Sequence, residues 1–176
     1  MSDLILYHGT TADFSVVDLK HCKDKKDFGK GFYTTTDINQ AINLAQRMKR
    51  TEIYNGNAYA KAYVYMFKID KSHMKQLNTH NFQLASLSWI DYILKNRYSE
   101  FRNQEDYDLV IGKVADVVAK QVMNKFISSY GMQATKEQKQ QLIKALKPDN
   151  LIDQYCFKTD KSLKVLNLQG TKRKEY

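Results

Sequence analysis

The chain has 176 residues, 43% hydrophobic and 27% charged with a single proline, which fits one domain spanning 1–176 and a folded globular protein rather than a disordered one. Met1-Ser2-Asp3 runs straight into Leu4-Ile5-Leu6 with no basic leader and no long apolar stretch, so no membrane partner is expected and the expected setting is the cytoplasm. The formal charge of +9 favours polyanionic partners such as nucleic acid or an acidic protein surface, and it also suits a dinucleotide.

In chain order, Leu4 to Tyr7 reads as a short buried strand ending at His8-Gly9-Thr10, where glycine permits a turn or a close approach of backbone to a ligand. Thr11 to Asp27 has no period and reads as a loop, with one short apolar element at Phe14-Ser15-Val16-Val17. The aromatic and β-branched run after Gly31 predicts a strand. Asp37 with Gln40 predicts a capping box for a helix carrying Ile38, Ala41, Ile42, Ala45 and Met48 at helical spacing.

Alternation from Tyr59 to Ile69 predicts a long half-buried strand. A helix is expected between Ser86 and Phe101, a strand at Asp108 to Ile111, and helices from Asp116 to Tyr130 and from Thr135, capped with Gln138, to Pro148. Ile152 to Phe157 is the last expected strand, Thr159 caps a short turn containing Leu163, and Lys172, Arg173 and Lys174 read as a solvated basic tail. The order of elements lacks a regular βαβα alternation, which makes the class α+β. Cys22 and Cys156 stand in no metal-ligand spacing, so both are expected as free thiols and no metal is expected.

Three segments carry the chemistry: Leu6-Tyr7-His8-Gly9-Thr10, Phe28-Gly29-Lys30-Gly31-Phe32-Tyr33 and Asp153-Gln154-Tyr155-Cys156-Phe157. In this order they resemble the ADP-ribosyltransferases of the diphtheria-toxin and poly(ADP-ribose) polymerase type. That family combines a strand ending in His-Gly-Ser/Thr, a Gly-x-Gly-x-Tyr strand followed by a helix, and a late strand with a catalytic glutamate. The resemblance implies a split β-sheet core with flanking helices and NAD as co-substrate. It implies roles for His8 on the adenine-side ribose, the Gly9 backbone on the nicotinamide carboxamide, and Tyr33 stacked on the nicotinamide ring, with Thr10, Gly31 and Phe32 beside them. The plainer alternatives are a strand-end histidine bonded to backbone, a core tyrosine, and glycines that merely shape a turn.

Two positions depart from the family. Leu44 stands where a second aromatic would complete a sandwich around nicotinamide, and Gln154 stands at the catalytic glutamate. Glutamine keeps a hydrogen-bond acceptor but loses the charge that favours an oxocarbenium-like sugar, on the order of 2–4 kcal/mol of transition-state stabilisation. Asp153 lies on the opposite face of its strand and is a poor substitute, whereas Asp108 and Asp116 flank the preceding strand, where either supplies a carboxylate if the fold brings it near and is otherwise a strand-edge or helix-capping aspartate. The resemblance therefore implies a mono-ADP-ribosyltransferase acting on a protein or nucleic-acid acceptor, a bacterial toxin or phage-defence effector with a cognate antitoxin, with His8, Tyr33 and Gln154 as its catalytic set. The alternatives are a non-enzymatic NAD or ADP-ribose binding module and a basic nucleic-acid-binding protein.

Overall fold

The computed structural model describes residues 3–99, 106–113, 117–147, 151–167 and 171–176. Seven strands and six helices form from them: β1 Leu4–Thr10, β2 Phe32–Thr35, α1 Ile38–Tyr54, β3 Tyr63–Ile69, α2 Lys71–Met74, β4 Thr79–Asn81, α3 Leu87–Tyr98, β5 Leu109–Lys113, α4 Val117–Tyr130, α5 Lys136–Ala145, β6 Asp153–Phe157, α6 Asp160–Asn167 and β7 Thr171–Glu175. The strands make one mixed sheet in the order β4-β5-β6-β2-β1-β3-β7, in which β4 and β5 run parallel and every other described pair is antiparallel. The class is α+β, as the sequence predicts. No helix among the described residues is long and apolar enough to cross a membrane.

The helix ends follow from local chemistry. Ser86 caps α3 through the Trp89 amide, and Thr135 with Gln138 makes the expected reciprocal capping box on α5. Gly131, at φ +66°, lets the chain leave α4 in the left-handed conformation that a Cβ would oppose. At α1 the expected box does not close. The Asp37 carboxylate accepts from Asn39 N at 2.8 Å and the Asp37 amide donates to Thr35 Oγ1 at 3.2 Å. With that amide already satisfied, Gln40 has no capping role, and its Oε1 is buried without a hydrogen-bond partner among the described residues.

Alternation in the strands sorts two cores onto the two faces of the sheet. Phe28, Trp89, Ile90, Ile93, Val110, Met123 and Cys156 pack on one face, with α3, α4 and α5. Leu6, Phe32, Tyr65, Phe67, Leu109 and Phe157 pack on the other, with Leu163 and Leu166 of α6. A smaller cluster seats Ala41 and Ala45 of α1 on Val64 of β3, with Tyr7 at its border.

Several expectations need correction. The strand predicted from Tyr59 starts at Tyr63, and Tyr59 is 92% exposed, because the turns after Asn55 continue to residue 59 and the strand-like aromatic is only incidental there. Phe14 to Val17 forms no regular element. Phe14 and Val17 instead pack individually against the second core. The basic tail keeps Lys172, Arg173 and Lys174 exposed, as expected of a solvated run, but it is also a strand, β7, paired along β3 from Phe67↔Thr171 to Tyr63↔Glu175. The Asp108 strand begins one residue later, at Leu109. The short helix α2 and strand β4 were not anticipated, and Asp116 and Pro148 lie outside the described residues.

Candidate functional site

The geometry of interest lies where β1 meets β2. Among the described residues these strands pair at one register position, Tyr7↔Thr35, whereas β1 pairs with β3 along all seven of its residues and β2 with β6 along all four. Beyond that rung no register pair joins His8–Thr10 to Phe32 and Tyr33 among the described residues, and this break in the ladder is the wedge between the two strand ends. The His8 imidazole spans it, with Nδ1 2.7 Å from the Tyr33 carbonyl oxygen. A carbonyl only accepts, so Nδ1 carries the proton and Nε2 presents a lone pair. Burial pushes the His8 pKa from 6.5 down to about 4, against a smaller upward push from the Tyr33 bond. The ring is neutral at neutral pH.

Phe32 lies against His8 with ring centroids 4.2 Å apart, and Phe14 meets its edge at 6.1 Å. Phe14 is itself stacked on Tyr65 at 4.0 Å, and the Tyr65 hydroxyl donates to Asp13 and accepts from the Phe14 amide. Arg173 of β7 pairs with the same Asp13 carboxylate. Thus the C-terminal strand fixes the loop that walls His8. Sequence reasoning missed Phe14, Tyr65 and Arg173 as site-building residues. An aromatic in an otherwise polar loop was the one local signal for Phe14.

Tyr33 projects to the opposite face of the sheet, as alternation requires beside Phe32. Its hydroxyl donates to Gly29 O at 2.7 Å and accepts from the Phe28 amide at 2.9 Å, and its ring lies nearly parallel to Phe28 at 6.3 Å. Burial first, and the nearby Cys156 and Asp27 after it, push its pKa well above the ordinary 10.0, so it stays protonated. The half-buried Gln154 pairs with Thr35, one alternation away from the Tyr33↔Cys156 pair, and so shares the face of Tyr33. His8 and Tyr33 are therefore joined through main chain at the wedge rather than ring to ring, with Gln154 on the Tyr33 side.

The glycines have packing reasons of their own. A Cβ on Gly9 would lie 1.9 Å from the Ala41 carbonyl oxygen, so β1 approaches α1 only as glycine. A Cβ on Gly31 would meet Cys156 Sγ at 2.4 Å and Phe157 O at 2.8 Å. Thr10 is buried and uses its hydroxyl to accept from the Ala12 amide at 3.1 Å. Leu44 is half-buried on α1, three residues beyond Ala41. Cys22 and Cys156 are both free thiols, and burial pushes Cys156 up to about 12, which leaves it an unreactive thiol.

Carboxylates near these residues are committed elsewhere. Asp108 accepts from Thr159 Oγ1 at 2.6 Å, Lys161 Nζ at 2.8 Å and Asn78 N at 2.9 Å. Burial pushes its pKa up, and these bonds outweigh the burial and hold it below the ordinary value. Asp153 pairs with Lys113 at 3.3 Å. Asp27, overlooked in the sequence, is buried beneath the Phe28-Gly29 turn and bonded to Arg97. A separate surface groove of about 400 Å³, lined by Leu4, Met74, Leu77 and Tyr155 among others, lies away from the wedge.

No curated protein and no solved structure matches the chain. The model of one family matches residues 4–168, a stretch that runs from β1 through α6 and includes His8, Tyr33 and Gln154. The chain belongs to that family, described as Protein of unknown function (DUF3990).

Proposed function

We propose that the chain binds NAD at the β1–β2 wedge and transfers ADP-ribose to a protein or nucleic-acid acceptor, as a cytoplasmic mono-ADP-ribosyltransferase. The observation that carries this reading is the neutral His8, locked by Tyr33 O so that Nε2 is left as an acceptor beside the single rung that joins β1 to β2. A ribose hydroxyl is the donor such an acceptor suits. The single-rung seam supports the split sheet that the family resemblance implies, because the sheet falls into a β4-β5-β6-β2 part and a β1-β3-β7 part. In the transfer, the bond from ribose C1 to the nicotinamide nitrogen breaks, nicotinamide leaves with the bonding pair, and the acceptor nucleophile bonds to C1 and gives up its proton to water. Gln154 would hydrogen-bond the ribose without taking that proton.

A second reading is a binding module that holds NAD without turning it over. It is supported by Gln154 and by the commitments of Asp27, Asp108 and Asp153 to Arg97, Lys161 and Lys113. Labelled NAD incubated with the protein and cell extract separates the two. Transfer that disappears in His8→Ala and Tyr33→Ala and rises by up to about a hundredfold in Gln154→Glu supports the transferase. Saturable binding with no nicotinamide release, even in Gln154→Glu, supports the module, and label transfer untouched by all three substitutions rejects the site.

A further inference from the structure

Alternation puts Leu4 of β1, Ile111 of β5 and Tyr155 of β6 on the sheet face that carries Leu6, Leu109 and Phe157. Ile111 and Tyr155 stand directly opposite each other in the ladder. Because β2 ends at Thr35, opposite Tyr7, Leu4 lies three residues past the last rung with no β2 residue facing it. That gap accounts for the groove of about 400 Å³, whose other wall is Met74 of α2 and Leu77 of the turn after it. The volume lies within the range of small-ligand sites. Leu4, Met74, Ile111 and Tyr155 all pack on the second core yet are only half-buried, so apolar surface lines the groove.

Lys71 and Lys75 also line this groove, four residues apart on the α2 side, and both are exposed. Neither has an ion-pair partner among the described residues. The carboxylates next to the groove in sequence are engaged elsewhere. Asp3, beside Leu4, pairs with Lys68 at 2.9 Å, and Asp70, beside Lys71, caps α2 by accepting from Ser72 N at 2.8 Å. No acidic side chain among the described residues lines the groove. An apolar trough with positive charge along one side is complementary to a ligand with a hydrocarbon body and one anionic end. A polyphosphate would leave the apolar walls uncovered, and an uncharged hydrocarbon would leave both lysines unused.

We propose that this groove binds an unbranched aliphatic carboxylate, with the chain along Leu4, Met74, Ile111 and Tyr155 and the carboxylate between Lys71 and Lys75. None of these residues belongs to the wedge, and Tyr155 lies on the face of β6 opposite Gln154. The site therefore stands or falls independently of the NAD reading.

Calorimetric titration of the full chain at neutral pH with hexanoate, octanoate and decanoate, each below its micelle concentration, tests it. Saturable binding of a single equivalent is expected, tightening by up to about fourfold per added methylene. Lys71→Gln/Lys75→Gln, at two exposed positions, should weaken octanoate at least about fivefold and leave the weaker binding of 1-octanol unchanged. Met74→Asp should weaken both ligands. No saturable binding, affinity indifferent to chain length, or octanol binding as tightly as octanoate would overturn the proposal, as would octanoate binding unchanged in both variants. Sedimentation of the free chain checks the competing occupant: a dimer that Met74→Asp dissociates would give the groove to a second copy of the chain and overturn the proposal as well.

Discussion

His8 owes its chemistry to a bond it donates: the Tyr33 carbonyl takes the Nδ1 proton and leaves Nε2 as the acceptor. The same burial makes His8 a source of acid sensitivity. Its folded pKa, about 4, lies below the 6.5 of a free imidazole, so between those values the unfolded chain binds a proton that the folded chain refuses. Its contribution is therefore complete above about pH 6.5 and is lost as pH falls toward 4, by at most about 3 kcal/mol. Asn at position 8 keeps a donor near the place of Nδ1 but does not titrate. Urea midpoints at pH 7 and pH 4.5 should fall further for the wild type than for His8→Asn, since the carboxylates titrate in both proteins. Equal falls would mean that the ring is not held neutral by burial.

At the scale of elements, β7 does more than extend the sheet. It covers the outer edge of β3 with Lys172, Arg173 and Lys174, charges that blunt a sheet edge against further pairing, and its Arg173 holds Asp13 and lies over the Tyr63 ring at 4.9 Å. Truncation before residue 171 should lower the melting temperature and produce concentration-dependent association as β3 is uncovered, measurable by thermal melting and light scattering. A truncated chain that stays monomeric with unchanged melting would remove β7 from this role. The sequence hid β7 because its alternation is of charge against charge, with no apolar period to mark a strand, and its partner lies over a hundred residues away. By contrast α3, α5, β2 and β6 were legible from local signals: the apolar residues Leu87, Trp89, Ile90, Ile93 and Leu94 in α3, the Thr135 capping box in α5, and dense aromatic or β-branched runs. The wedge was legible only through its motif residues. That Tyr7↔Thr35 is the last rung, and that Phe14 closes over His8, are products of packing between distant segments that no local pattern encodes.

For the whole molecule, the sparse seam raises the question of whether the two parts of the sheet unfold separately. The cores argue against it. The cluster that contains Leu6 and Phe67 of β1 and β3 also contains Phe32, Leu109 and Phe157 of β2, β5 and β6, so parting the seam would expose apolar surface from both parts at once. The α1 helix packs against β1, β2 and β3 and so spans the seam as well. Trp89, the chain's one tryptophan, is fully buried in the other core with its indole N–H on Lys113 O at 3.0 Å, and so reports on the β5–β6 side. Urea unfolding followed by Trp89 fluorescence and by far-ultraviolet circular dichroism should give coincident single transitions. A Trp89 transition displaced from the dichroism curve would mean that the shared core does not couple the two parts, and that the wedge opens as the boundary between independently folding units.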